Sequence, residues 1–197
     1  MNSQDRRSRI LRAAAALFVE RGYAGVSMGD VLSEVGGSKG TLYRYFHDKA
    51  DLFKSAVEMV IDERSGPLRG FEPGDADVAE TLTAFGHHFA DIVLAPEAIA
   101  LHRLITAEAE RVPGIGQTFF DHGPTFGSSV LADYLRRQCS SGVLRLDDPA
   151  LAASQLYQAM LGEPQMRLLT NAGPVSAEEV DRAIANAVEI FLRGASR

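Results

Sequence analysis

The segment 27–53, SMGDVLSEVGGSKGTLYRYFHDKADLF, concentrates the side chains able to do chemistry. Its apolar spacing predicts a short amphipathic helix ending at Val35, a turn at Gly36 and Gly37, and a second short helix from about Lys39 to Phe46. Gly36 supplies the left-handed backbone that a sharp helix stop needs. Ser27, Ser38 and Asp48 each stand where a side-chain oxygen caps the helix that follows. Two short helices joined by so tight a turn make a helix-turn-helix, the geometry that places its second helix in the major groove of DNA. Leu42 and Phe46, one turn apart, anchor that helix to a core. Lys39, Gly40, Thr41, Tyr43, Arg44, Tyr45 and His47 remain for a partner. A lysine near the helix start, hydroxyl groups and a small glycine suit close approach to phosphates and base edges. Ser27 and Lys49 open the flanking helices and offer phosphate contacts from either side.

Two enzymatic readings compete for the same residues. GVSMG at 25–29 and GGSKG at 36–40 both match G-x-S-x-G, the nucleophile elbow of hydrolases. That motif needs a preceding strand and a strained, exposed serine. Here Ser38 follows a helix, and no β-rich stretch is present to build the sheet. GGSKGT lacks the Gly-Lys-Ser/Thr order and the strand of a phosphate-binding loop. A serine hydrolase is therefore the least favoured reading, and no enzyme is expected. A helical dimerisation or interaction protein without specific DNA binding is the other alternative. His88 and Asp91 are three apart but lack a third ligand, and Cys139 is alone. No metal and no cofactor are expected.

The elements that must position these residues are helical. Ile10, Ala14, Leu17 and Phe18 recur at helical spacing, as do Met28, Val31, Leu32 and Val35, then Phe53, Ala56, Val57 and Val60. Val78, Leu82, Phe85, Phe89 and Ile92 form a further stripe, followed by Leu101, Leu104, Ile105, Glu108 and Val112, and finally Val180, Ile184, Ala187 and Phe191. The fold class is all-α, a three-helix N-terminal domain plus a helical-bundle body. Ser176 and Glu179 fit a capping box, and Asp148–Pro149 an N-cap with proline at the first helical position. The stretch 65–77, with two prolines and three glycines, is the best internal break. The expected division is 1–50 as the helix-turn-helix domain and 51–197 as a ligand-binding and dimerisation domain, with a linking helix at about 48–64.

The 197 residues, 46% hydrophobic and 23% charged, describe an ordinary globular chain rather than a disordered one. No apolar run approaches the ~20 residues of a membrane span, and the N-terminal segment lacks the apolar core of a signal peptide. A cytoplasmic protein with no membrane partner is expected. The net charge of −6 is unevenly spread. Residues 1–50 hold 8 Lys and Arg against 5 Asp and Glu, whereas residues 51–197 hold 12 against 21. A basic head on an acidic body suits a small nucleic-acid module on a regulatory domain.

The N-terminal segment resembles the DNA-binding domain of tetracycline-repressor-type (TetR family) regulators. The residues that carry the resemblance run from Ile10 through ALF at 16–18 and RGY at 21–23 to SKGTLYRYF at 38–46 and KADLF at 49–53. The resemblance implies a transcriptional regulator, usually a repressor, that binds operator DNA as a dimer. By position it implies DNA contacts at Ser27, Lys39, Thr41, Tyr43, Tyr45 and Lys49. The chain departs from the family's pattern with Leu32 and Val35 where alanine is common and Gly37 where an apolar β-branched residue is common. Residues 97–111, EAIALHRLITAEAER, and LGEPQMRLL at 161–169 resemble the AefR-like branch of that family.

In the body, Glu108 falls inside an apolar arc, where a carboxylate needs a partner or a proton. His88 edges the Phe85–Phe89 stripe, and His102 flanks that of Leu101. Residues 113–127, PGIGQTFFDHGPTFG, read as a broken helix with aromatic weight, a lid or entrance to an apolar cavity. The candidate ligand residues are Phe85, His88, Phe89, His102, Ile105, Glu108, Phe119, Phe120, His122, Tyr157 and Met160. Their expected ligand is a small apolar or amphipathic effector. The helix at 149–170 is apolar around most of its circumference, with Gly162 and Pro164 expected to loosen or kink it. With the amphipathic helix at 176–193 it suits a four-helix homodimer interface.

Overall fold

The computed structural model describes residues 3–71 and 77–195. Among these residues there are eleven helices and no strand: α1 Ser3–Arg21, α2 Met28–Val35, α3 Lys39–Tyr45, α4 Lys49–Arg64, α5 Gly66–Arg69, α6 Val78–Val93, α7 Pro96–Glu108, α8 Ile115–His122, α9 Pro124–Ser140, α10 Pro149–Leu169 and α11 Ala177–Ala195. The all-α expectation holds. No described helix is long and apolar enough to cross a membrane. The expected break at 65–77 falls partly on 72–76, outside the described residues.

The helices sort into two compact units. One holds residues 3–64 with 100–122; the other holds 65–99 and 123–195 within the described residues. These units differ from the division expected at residue 50. The linking helix α4 packs on α1 and α8 and lies wholly in the first unit. The reason is burial. The Leu52, Phe53, Ala56 and Val57 face of α4 shares its core with Ile10, Leu11, Ala14 and Phe18 of α1. Leu101, Ile105, Val112 and Ile115 complete that core from fifty residues further along the chain. Phe18 meets Phe53 edge to face at 4.9 Å. Burying one such side chain fully contributes about 1.5–3 kcal/mol. Val112 is buried as its spacing predicts, but α7 has already ended at Glu108, whose carbonyl accepts from the Val112 N–H.

The second unit packs α6, α9, α10 and α11 around Phe85, Phe89, Leu131, Leu135, Leu156, Met160, Ile184 and Val188. Gly127 of α9 permits a close approach, because a Cβ there would sit 2.6 Å from Tyr157 Cε2. Asp148 caps α10 through the N–H groups of Ala150 and Leu151, with Pro149 at its start, as expected. Ser176 and Glu179 form the expected capping box. The helix α10 runs without a break through Pro164, which is buried. It is also less thoroughly buried than its composition suggests: Leu151 and Met166 are exposed.

Candidate nucleic-acid interface and ligand residues

The helix pair α2 and α3 is fixed at each end by its own side chains. Ser27 Oγ accepts from the Asp30 N–H at 3.2 Å, and Asp30 Oδ2 accepts from the Ser27 N–H at 2.7 Å. These Ser27 hydrogen bonds hold the Asp30 carboxyl below its ordinary range. At the far end, Gly36 and Gly37 both take positive φ, 70° and 110°. Arg6 Nη2 donates to the Gly36 carbonyl at 2.7 Å and Arg9 Nη2 to the Val35 carbonyl at 2.6 Å. Two cations from α1 therefore complete the negative end of α2. A Cβ on Gly37 would lie 2.2 Å from Arg6 Nη2. The flexible Arg6 end could move, but the positive φ of Gly37, which a branched side chain rarely adopts, accounts for glycine where the resembled family carries a branched residue.

Ser38 caps α3, accepting from the Thr41 N–H at 3.3 Å. Leu42 and Phe46 are 2% and 1% exposed and hold the helix to the core, as their spacing predicts. Lys39, Gly40, Tyr43, Arg44 and His47 are exposed; Thr41 and Tyr45 are half-buried. The Arg44 guanidinium lies 5.2 Å from the centre of the Tyr45 ring. Ser27, Lys39, Tyr43 and Lys49 line one surface cavity of about 560 Å³, with Met28 and Asp30 in its wall. Lys49 is less available than its position suggests. Its Nζ donates to the Tyr23 carbonyl at 2.9 Å and lies 4.2 Å from the Tyr23 ring centre. The start of α4 is closed by carboxylates, Asp48 accepting from the Asp51 N–H and Asp51 from the His47 N–H, both at 2.8 Å. Both serines of the G-x-S-x-G matches serve as helix caps.

The candidate ligand residues fall into two sets. Phe85, Phe89, Tyr157 and Met160 lie in the core of the second unit, where the Phe89 and Tyr157 ring centres are 3.8 Å apart. Burial pushes the Tyr157 hydroxyl above its ordinary pKa. His88, expected in the core or at its boundary, is exposed, with the Phe71 ring against it at 5.8 Å. It precedes the buried Phe89 by one residue, about 100° around α6, so the helix turns it outward.

The other six belong to the first unit. Ile105 and Glu108 are buried, and Arg111 Nη1 donates to Glu108 Oε2 at 3.4 Å, the arginine partner that a buried carboxylate needs. The His102 ring lies 4.8 Å from that of Phe119, and burial lowers its pKa. Phe120 is exposed. His122 Nδ1 sits 3.0 Å from Asp62 Oδ1, and its Nε2 is 3.7 Å from Glu58 Oε1. The segment 113–127 is two helices, α8 and α9, parted near Gly123, and the chain changes unit there. The second unit also has a surface cavity of about 370 Å³ between α5 and α9, lined by Phe71, Phe126 and Tyr134 with Arg69 and Arg137. Its residues come from two stretches far apart in the sequence, 68–71 and 126–137, so no local spacing signals it.

Comparison with known proteins supplies the setting for this geometry. The profile of bacterial regulatory proteins of the tetR family matches residues 10–56. That of the AefR-like transcriptional repressor C-terminal domain matches residues 80–194. A crystal structure of a TetR-family transcriptional regulator from Mesorhizobium loti MAFF303099 superposes with a TM-score of 0.88 at 27% identity, covering 100% of both chains. The flavonoid-responsive regulator FrrA superposes with a TM-score of 0.84 at 27% identity, covering 98% of both chains. The transcriptional activator FasR of Mycolicibacterium smegmatis is 29% identical over 89 residues, 45% of this chain and 41% of the activator's own length.

Proposed function

The chain belongs to the tetR family of bacterial regulatory proteins, with an AefR-like C-terminal domain, and on that premise we propose that it is a homodimeric, ligand-responsive repressor acting in the cytoplasm. The observation that carries the reading is α3 itself. Two buried side chains and a serine cap fix this helix, while Lys39, Gly40, Tyr43, Arg44 and His47 point to solvent. Two such helices, one per protomer, enter successive major grooves of a pseudo-palindromic operator. Lys39 takes phosphate, and Tyr43 and Arg44 reach base edges and backbone. Thr41, Tyr45 and Ser27 flank these contacts. Lys49 contributes through its backbone N–H and by fixing the Tyr23 carbonyl rather than through a free ammonium. The domain division carries over in the same sense, residues 1–50 reading DNA and 51–197 binding effector and partner.

The exposed apolar side chains Leu151 and Met166 on α10 and Ile190 on α11 support a dimer formed through about 149–170 and 176–193. Repression rather than activation is favoured because the repressor-type domain spans residues 80–194, whereas the activator FasR aligns with under half of the chain. The effector is a small apolar or amphipathic molecule. The likeness to FrrA makes flavonoids the first class to screen. An effector acts only by binding one conformational state more tightly than the other.

The test is fluorescence anisotropy on the DNA flanking the protein's own coding region, at two salt concentrations. Tight, salt-sensitive binding to one segment is expected. Tyr43→Ala should weaken specific binding by about 1–3 kcal/mol, and Lys39→Ala should weaken binding to all sequences and lower the salt slope by about one. Absence of binding at low salt by folded protein overturns the reading.

A further inference from the structure

We propose that Glu58, Asp62 and His122 form a binding site for a divalent transition-metal ion. Glu58 and Asp62 are one turn apart on α4 and so share a face. His122 is the last residue of α8, which packs on α4 inside the first unit. The sixty residues between them hide the grouping from any local motif. With one ligating atom from each residue, all three lie within 4.8 Å of one another. The imidazole stands between the two carboxylates, Nδ1 at 3.0 Å from Asp62 and Nε2 at 3.7 Å from Glu58. The longer separation exceeds a hydrogen bond. An ion with bonds of about 2.0–2.2 Å on each side spans it. One ion takes only one nitrogen of the ring, so metal binding requires the partly solvent-accessible Asp62 carboxylate to turn from Nδ1 to the ion held between Nε2 and Glu58.

The donor set narrows the ion to a class. One imidazole nitrogen with two carboxylates suits zinc, nickel, cobalt or manganese, whereas calcium and magnesium favour oxygen alone. Three protein ligands leave at least one coordination position to water or to a small oxygen-donor molecule. An ion here joins α4 to α8 directly, adding a cross-link between segments far apart in sequence. His88 with Asp91, and Cys139, offer no comparable triad among the described residues.

The experiment is isothermal titration of the full chain, metal-stripped, with Zn²⁺ in a non-chelating buffer, beside Glu58→Gln, Asp62→Asn and His122→Gln. One ion per chain is expected in the wild type, with affinity falling about 10- to 100-fold in each variant. His88→Gln and Cys139→Ser should bind as the wild type does. Zinc should raise the melting temperature of the wild type but not of His122→Gln. Melting curves without metal, followed by circular dichroism, identify any variant that fails to fold, and the two isosteric carboxylate replacements guard against that outcome. No zinc binding by the wild type overturns the proposal. So does affinity that survives all three replacements, or that disappears with His88 or Cys139. The titration contains no DNA, so its failure leaves the operator reading intact.

Discussion

The two compact units place their candidate residues differently. In the first, α3 gives Leu42 and Phe46 to the core and keeps Lys39, Tyr43 and Arg44 outside it. Holding the helix and using the helix are tasks of different side chains. In the second, Phe85, Phe89, Tyr157 and Met160 are both candidate ligand residues and part of the core itself. The lesson is one of separability. On the proposed reading, substitutions on α3 remove operator binding at little cost in stability, whereas substitutions among those core residues move effector response and stability together.

The largest test of that contrast is Phe89→Ala. A well-filled core predicts a loss of about 3–5 kcal/mol in urea or thermal unfolding. A loss under about 1 kcal/mol, with effector response abolished, would mean an adaptable cavity wall and would break the contrast. A smaller effect compares the two capping boxes, one in each unit. Ser27→Ala and Ser176→Ala should each cost about 0.5–2 kcal/mol by equilibrium unfolding. Ser27→Ala should also weaken operator binding, because it frees the start of α2 beside α3. Equal operator affinity in the wild type and Ser27→Ala would remove that serine from the interface.

The smallest effect is a pH dependence. The Ser176 backbone N–H and the Arg167 guanidinium together hold the Glu179 carboxyl down at about 2, against an ordinary value of 4.5. A folded-state value below the unfolded one means that the stabilisation is complete above about 4.5 and fades as pH falls toward 2. Melting curves of the wild type and Glu179→Gln should therefore converge as pH drops through that window. Parallel curves would show that the hydrogen bonds do not persist in solution. Asp30, lowered by Ser27, should give the same direction in the first unit.

The helix-turn-helix was legible because its signals are local: a cap, two glycines, an i, i+4 pair and exposed basic and aromatic groups within a few turns. The helical stripes were legible for the same reason. What escaped were relations between distant segments. Periodicity shows that Ile105 and Val112 are buried, but not that they are buried against α1 and α4. No local pattern marks Arg6 and Arg9 as partners of α2, yet their guanidinium groups close its end. Lys49 likewise reads as a phosphate contact until Tyr23 is found beneath it. His122 stands out in the aromatic segment 113–127, whereas neither Glu58 nor Asp62 carries a signal by itself.

The discontinuous first unit has a consequence for the way the protein is made. Residues 1–64 leave the ribosome well before 100–122, the segment that supplies Leu101, Ile105, Val112 and Ile115 to their shared core. At roughly 5–20 residues per second, the delay is about 3–12 s. During that interval the apolar faces of α1 and α4 lack part of their cover. The nascent N-terminal segment must wait, with chaperones or its own partial packing for shelter, until the later stretch has been translated.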